Sequence, residues 1–492
     1  MKHTEHHSRR SFAVVALSLV LTAAGCSREK KTEQPLTSTT EAAKPAVEKT
    51  VRIAVGTQDT TINCAAGGTL VRELKLLEKY LPKTGKYAST KFEVEWKNFT
   101  SGPPLTSEML AGKLDMGVLG DFPSVLNGVA FQKAGKRSVY VSTLSGNVRG
   151  AGNGLVVPKD SPATKLADLK GKQISVPFGS AAHGMLLRAV NSLGWDPEKD
   201  VSLVSQSPEV GGTALKANKI DGHADFVPFA ELFPFRGTSR KIYDGSSVNA
   251  PTSHGFIVSE EFTKEYPELV VAYLQATLEA DKLLTAQPEK YSELIEKVSG
   301  VEAEVVYMFH GPLGIQTRDF TPKPEFRQGL KTAVETLKLL KKHDSELDID
   351  KWIDERFIRE AAKLSGRDFD ERLKHYDPLP VTGNDARTNE ALGDTKQIAQ
   401  IWVKGEEKVR NYATPRSAFT ALSELKAQNK AVRAVFVHDR NTGIKLLADQ
   451  AYYVQKPDGS VAAFLLKEDA TAWSKKEAGQ LASYDSVQKG KT

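Results

Sequence analysis

The stretch from Ser101 to Ser124, SGPPLTSEMLAGKLDMGVLGDFPS, packs a turn, a helix, a strand and a second turn into one short span. Ser101-Gly102-Pro103-Pro104 predicts a rigid turn entering a helix, because proline presets φ and lacks a donor that the first helical turn leaves unbonded anyway. Met116 to Leu119 reads as a short strand. Gly120-Asp121 then turns the chain into a helix that begins near Pro123-Ser124. Small residues and caps are left where a small ligand can meet backbone.

The same alternation surrounds this span. Val51 to Val55 predicts a first strand, and Leu70, Leu74, Leu77 and Leu81 recur at helical spacing until Pro82 stops the helix. Phe92 to Trp96, Leu105 to Leu110, Met116 to Leu119 and Val125 to Phe131 continue it as strand, helix, strand, helix. A second set comprises Gly154 to Val157, Gln173 to Val176, the helix Met185 to Leu193, Val201 to Val204 and Ala224 to Val227. Strands alternating with helices argue for an α/β sheet, and two sets argue for two α/β lobes. After Gly255 to Val258 the pattern turns helical, at Leu269 to Leu284, Tyr291 to Val298, and Phe326, Leu330, Val334 and Leu337. These helices are expected to pack back on the first lobe. A polar linker at 377–396 leads to a small α+β unit at 397–492, with strands at Ala434 to Val437 and Ala451 to Val454.

The N-terminal residues address the compartment. Arg9-Arg10, an apolar run from Phe12 to Leu21, and Ala23-Ala24-Gly25-Cys26 read as a secretory signal over 1–25 ending in a lipobox, with Cys26 as the lipidated residue. Ala23 stands where such motifs most often have leucine. Ser8 to Phe12 also resembles a twin-arginine export motif, so the export route stays open. Residues 26–50 are a polar tether too poor in bulky apolar groups to fold. The apolar run is shorter than the ~20 residues a spanning helix needs, so no transmembrane helix is expected.

Only two cysteines occur. Lipidation of Cys26 leaves Cys64 without a partner, and its plain reading is a small buried thiol. The formal charge is +6; Lys2, Arg9 and Arg10 against Glu5 place part of it on the signal. The remainder is too mild and dispersed for a nucleic-acid partner.

Gly179-Ser180-Ala181-Ala182-His183 lies between a predicted strand and helix, where free N–H groups and the dipole favour an anion. Ser180 is equally able to cap its own helix. Ser101-Gly102 is a similar donor-rich turn in the other lobe, and the two turns facing across a cleft would clamp an anion. Asp121 opposes that, unless it pairs with a cationic part of the ligand or caps the helix at Ser124. Elsewhere no metal-ligand cluster, nucleophile with a base or phosphate loop stands out, so neither an enzyme nor a cofactor is expected. The hydrolase alternative would need Asp121 and Asp225 close together, or His183 beside Ser180 with a carboxylate behind it.

The segments SGPP…GDFP, LADLKGKQISVPFGSAAH at Leu166 to His183, and PTSHG at Pro251 to Gly255 resemble the nitrate, sulfonate and taurine type of ABC-transporter solute-binding protein. The likeness runs from about Val51 to Ser365. It implies a two-lobed type II periplasmic binding protein fold over 51–376 that closes on a small solute and delivers it to a membrane permease. The contacts it implies are Ser101, Gly102, Asp121, Ser180, Ala181, His183, Asp225 and Thr252. One departure is that His223 and Phe226 stand where sulfonate binders often carry tryptophans. A thiamine-precursor carrier, whose fold is similar, is the alternative within binding proteins, and a ligand stacked near Phe226 would favour it.

From about Ile401 to Val487 the chain resembles the NosL family of copper lipoproteins, through YATPR at Tyr412 to Arg416, AVFVHD ending at Asp439 and DQAYYV ending at Val454. No cysteine or methionine follows Met308, so the soft ligands of copper(I) are missing and His438 alone makes a weak site. The unit is therefore read as a structural or docking module, with a metal-homeostasis role as the alternative.

Overall fold

The computed structural model describes residues 49–340 and 347–489. The signal, the export motif, Cys26 and the tether up to residue 48 lie outside the described residues, while Lys49 and Thr50, expected in the tether, open the first strand by pairing with Thr90 and Lys91. The described residues form one compact unit containing four sheets.

The strands of the two lobes are β1 (Lys49–Thr57), β2 (Thr90–Asn98), β3 (Met116–Gly120), β4 (Ser138–Asn147), β5 (Gly154–Pro158), β6 (Gln173–Val176), β7 (Ser202–Ser205), β8 (Gly222–Asp225), β9 (Ser239–Asp244), β10 (Thr252–Ser259) and β11 (Thr317–Arg318). The first sheet has the order β11-β4-β10-β3-β1-β2 and the second β7-β6-β8-β5-β9. β1 runs parallel to β2 and β3, whereas β10 is antiparallel to β3 and β4. The chain thus crosses between lobes twice, from β4 to β5 and back from β9 to β10. Two crossings make the hinge that the two sets of elements implied, and they explain why β10, late in sequence, sits at the centre of the first sheet.

Local chemistry accounts for the elements. The helix Gly102–Leu110 starts on Pro103-Pro104, with Ser101 extended before it. The leucines Leu70 to Leu81, expected as one helix, form two short ones, Thr69–Glu73 and Leu76–Tyr80, because Lys75 takes a left-handed φ of 52° and breaks the hydrogen-bond ladder. β4 carries Ser142, Thr143 and Ser145 yet is buried along nearly its whole length, so it shows no alternation; Ser142 Oγ donates to the Phe320 carbonyl at 3.1 Å. The helix Pro267–Ala286 packs on the first lobe, where Tyr273 stacks on Phe256 with ring centroids 4.3 Å apart. The helix Pro324–Lys338 buries Phe326, Leu330 and Leu337, the face the sequence indicated.

The C-terminal unit holds β12 (Ala399–Val403), β13 (Arg410–Tyr412), β14 (Val432–His438), β15 (Lys445–Leu447), β16 (Tyr452–Gln455), β17 (Val461–Phe464) and β18 (Gln480–Ala482) in two antiparallel sheets, β13-β12-β14-β15 and β17-β16-β18. It is docked against the first lobe. Arg433 lies 4.5 Å from the Trp402 ring and pairs with Glu304 at 2.6 Å and Glu293 at 2.7 Å, on the helices Ala303–His310 and Pro288–Ser299. Lys445, fully buried, donates to the Pro312 carbonyl at 2.5 Å with its ammonium 4.7 Å from the Tyr307 ring, and Tyr307 packs on Trp402 and Phe436. A second contact reaches the other lobe through Lys165 and Glu468 at 3.0 Å.

Candidate functional site

On the first lobe, β3 ends at Gly120 and a helix begins at Asp121. Asp121 is buried, and its Oδ1 accepts the Phe122 N–H at 2.7 Å. It therefore holds a first-turn donor beside it; Ser124 instead donates its hydroxyl to the Leu119 carbonyl at 3.3 Å. Burial raises the Asp121 carboxyl above its ordinary range, while the Arg188 guanidinium, the Phe122 N–H and the Thr252 hydroxyl pull it back. Ser101-Gly102 packs beneath: a Cβ on Gly102 would stand 2.5 Å from Pro123 Cβ, so the two turns touch. Ser101 makes no side-chain cap.

On the second lobe, β6 runs into Gly179, whose φ of 78° suits a residue without Cβ, and then into the helix Ala181–Ser192. Ser180 caps that helix, its Oγ accepting the His183 N–H at 3.2 Å. The Gly179 N–H donates to His183 Nδ1 at 3.1 Å, which leaves the imidazole proton on Nε2. The ring stacks on Phe178 at 4.8 Å and meets Phe122 edge-on at 6.1 Å. Burial lowers its pKa to about 4, so it is a neutral donor at pH 7.

The two sides meet. A Cβ built on Gly120 would lie 3.4 Å from Ala181 Cβ and 3.4 Å from His254 Nε2, one on Gly179 2.9 Å from Pro103 Cγ, and one on Gly184 2.8 Å from Phe122 Cγ. Lobes in such contact are closed. Thr252, where the chain re-enters the first lobe, accepts the Asn153 amide at 3.4 Å beside Asp121. Ser101, Gly102, Asp121, Ser180, Ala181, His183 and Thr252 are thereby gathered around one lobe junction.

Asp225, on β8 beside Gly154, has partners of its own. Its Oδ2 pairs with His223 Nε2 at 2.8 Å, its Oδ1 accepts the Phe226 N–H at 2.8 Å, and His223 Nδ1 meets Ser175 Oγ at 2.6 Å. This hydroxyl–imidazole–carboxylate chain has relay distances, but all three residues are 0% exposed. No substrate atom can reach Ser175, and a nucleophile without access performs no chemistry. Phe226 is buried too, edge-on to Phe229 at 5.6 Å. His183 stands beside Ser180, but the Ser180 hydroxyl oxygen accepts the His183 backbone N–H and His183 Nδ1 accepts the Gly179 N–H, which is helix capping.

The structure adds residues that the sequence did not single out. Asn63 Nδ2 donates to His254 Nδ1 at 3.0 Å, which puts the His254 proton on Nε2, against Gly120. Burial lowers the His254 pKa to about 3. The side-chain atoms Thr57 Oγ1, Thr61 Oγ1, Asn63 Oδ1, Asn153 Oδ1 and Arg188 Nε are buried without a hydrogen-bond partner. Thr57, Thr61 and Asn63 follow the C-terminal end of β1, Asn153 is in the hinge and Arg188 is on the Ala181–Ser192 helix. An unmet polar atom in a dry site is costly, and a polar group brought to these atoms would find them ready to bond. Only the PTSHG motif, which contains His254, carried any of this in the sequence. Cys64 is buried in the 3₁₀ turn Ile62–Gly67 and burial pushes its thiol up, as a structural cysteine. Among the described residues no group of His, Cys, Asp or Glu is placed to hold a metal, and no helix is long and apolar enough to cross a membrane.

Residues 81–299 match the NMT1-like family. The match covers less than half of the chain. The chain is 27% identical over 248 residues to an Escherichia coli (strain K12) protein described as aliphatic sulfonates-binding, covering 50% of this chain and 73% of the relative. It is 28% identical over 209 residues to the taurine-binding periplasmic protein of the same organism, covering 42% of this chain and 62% of the relative, less than two thirds of its length. Among solved structures, the alkanesulfonate-binding protein of Xanthomonas axonopodis pv. citri bound to MOPS superposes with a TM-score of 0.52 at 21% identity, over 62% of this chain and 99% of that one. The periplasmic nitrate-binding protein of Synechocystis PCC 6803 gives 0.50 at 14% identity, over 67% and 92%. At those identities the structures establish the periplasmic binding protein fold, which is the fold described above. The sequence relatives are named as binding proteins rather than enzymes.

Proposed function

We propose that this chain is the solute receptor of an ABC importer, capturing a small anionic solute such as a sulfonate, taurine or nitrate and presenting it to a membrane permease. Cys26 would tether it by lipid on the extracytoplasmic side. The observation that carries the reading is the lobe junction, where the Ala181–Ser192 helix N-terminus, the neutral Nε2–H donors of His183 and His254, and Arg188 converge between two lobes joined by a double hinge. Helix N-terminal amides and a guanidinium favour an anion, and a double hinge suits closure on a ligand. The NMT1-like match and the named ligands of the relatives support the same class. Ser101, Gly102, Asp121, Ser180, Ala181, His183 and Thr252 remain the proposed contacts, and Asp225, also expected from the resemblance, is held by His223 and the Phe226 N–H.

A heterocycle carrier is less well supported, because Phe226 is packed away from the junction. The C-terminal unit is proposed as a docking module, a reading supported by its packing on the rest of the chain through Arg433 and the buried Lys445. The test is a thermal-shift panel of sulfonates, taurine, nitrate and thiamine precursors on the chain from Cys26 onward. One ligand should raise Tm, since selective binding to the native state stabilises it. No shift across the panel refutes the receptor reading.

A further inference from the structure

The C-terminal unit touches both lobes, and the two attachments differ in kind. On the first lobe it is seated deeply: Tyr307 packs on Trp402 and Phe436, Arg433 pairs with Glu304 at 2.6 Å, and the Val409 N–H donates to Glu289 at 3.0 Å. On the second lobe it only grips the surface. Lys165 pairs with Glu468 at 3.0 Å, both side chains half in water, and Glu231 and Pro234 line a cavity of about 40 Å³ together with Leu446 and Leu465 of the unit.

A body fixed to one lobe and touching the other cannot be indifferent to the hinge between them. β5 leaves the hinge at Gly154 and Lys165 lies beyond its far end; at ~3.3 Å per residue the strand alone carries the chain roughly 13 Å away. Lys165 is therefore out along the lever, where a rotation of the lobes moves it most, while the deeper attachment keeps Glu468 with the first lobe. Opening breaks the pair and lets water onto the apolar sides of Pro234, Leu446 and Leu465. One group pulls the other way. Glu231 bonds Lys241 through Oε1 but has Oε2 buried without a partner, so hydration on opening offsets part of that loss and the grip stays reversible.

Resting on the two-lobed fold and its hinge rather than on any one solute, we propose that the C-terminal unit is a latch: it rides with the first lobe, grips the second at Lys165 and beside Glu231, and raises the share of unliganded chains in the closed arrangement.

Spin-label distance measurements on the unliganded chain from Cys26 onward test this, with Cys26→Ser to leave only the buried Cys64, and labels at Lys113→Cys on the first lobe and Lys199→Cys on the second, both exposed. Leu465→Glu sets a carboxylate against Glu231 and should lower the ratio of closed to open chains at least ~10-fold. Lys165→Glu, at an exposed pair, should lower it ~2- to ~5-fold, and adding Glu468→Lys should restore it. That pair of chains decides the matter if Leu465→Glu does not fold. A folded Leu465→Glu chain with an unaltered distance distribution overturns the latch, as does a Lys165→Glu ratio that is unchanged or that Glu468→Lys does not restore. Neither result bears on the receptor reading, which the thermal-shift panel tests separately.

Discussion

Gly184 offers a perturbation with opposite signs in the two states of the hinge. It lies inside the helix Ala181–Ser192, where replacing glycine by alanine stabilises a helix by ~1 kcal/mol. In the closed arrangement, however, the added methyl would stand 2.8 Å from Phe122 Cγ, 2.9 Å from Cδ2 and 3.1 Å from Cβ. Carbon atoms settle at ~3.5–4.0 Å, so the lobes must part by several tenths of an ångström or Phe122 must shift. Phe122 is fully buried in the first lobe, and the crowded atoms are the root of its side chain, which cannot swing aside. Overpacking of this kind costs ~1–3 kcal/mol. Because binding is coupled to closure, that cost falls on affinity, and whichever solute of the thermal-shift panel raises Tm should bind Gly184→Ala ~5- to ~150-fold more weakly. The unliganded Tm should hold or rise. Titration calorimetry gives the first quantity and a melting curve the second. Unchanged affinity would show that the Gly184–Phe122 contact is not part of the liganded state, and a fall in unliganded Tm would show that it belongs to the resting fold.

Two further outcomes test other parts of the molecule. Burial lowers the pKa of His183 to about 4 and of His254, His310 and His438 to about 3. The unfolded chain, with histidine near ~6.5, then binds more protons below that pH, so stability is present above ~6.5 and falls on acidification, by roughly 1.4 kcal/mol per histidine at pH 5.5. Calorimetric Tm between pH 7.5 and 5.5 should drop steeply, and a flat profile would contradict their burial. Arg433→Ala leaves Glu304 unpaired against the C-terminal unit and should loosen that docking by ~1–3 kcal/mol, the more exposed Glu293 contributing little. Hydrogen exchange should accelerate across β12 and β14 while β1 and β3 keep their protection; uniform behaviour would mean that the docking does not depend on Arg433.

The lobes were legible because their exposed and half-buried elements keep a period, as in β2 and the Pro324–Lys338 helix. β4 was not, since a strand covered on both faces has no alternation, and its serines and threonines find partners only in the fold. Ser180 and Gly179 were readable as a strand-to-helix turn. Arg188 and Asn153 were not, because nothing local distinguishes a buried unmet group from a solvated one. Asp225 was expected from the resemblance alone, with His223 and Phe226 beside it already departing from the pattern, and the two-residue strand period places His223 on the same face, where the two side chains pair.

The contact between the C-terminal unit and the first lobe bears on how this chain can be divided. Tyr307, Trp402 and Phe436 form one aromatic layer, with Lys445 sealed beneath it and Val409 N–H donating to Glu289 at 3.0 Å. A cut within 377–396 would therefore not yield two well-behaved fragments. The receptor half would carry a naked tyrosine face, and the other half would bare Trp402 and Phe436 beside a lysine that had been kept dry. Fragments of that kind associate through the surfaces they have lost, so expression of either alone calls for a polar replacement of that layer, and co-expression of the two should restore a soluble pair.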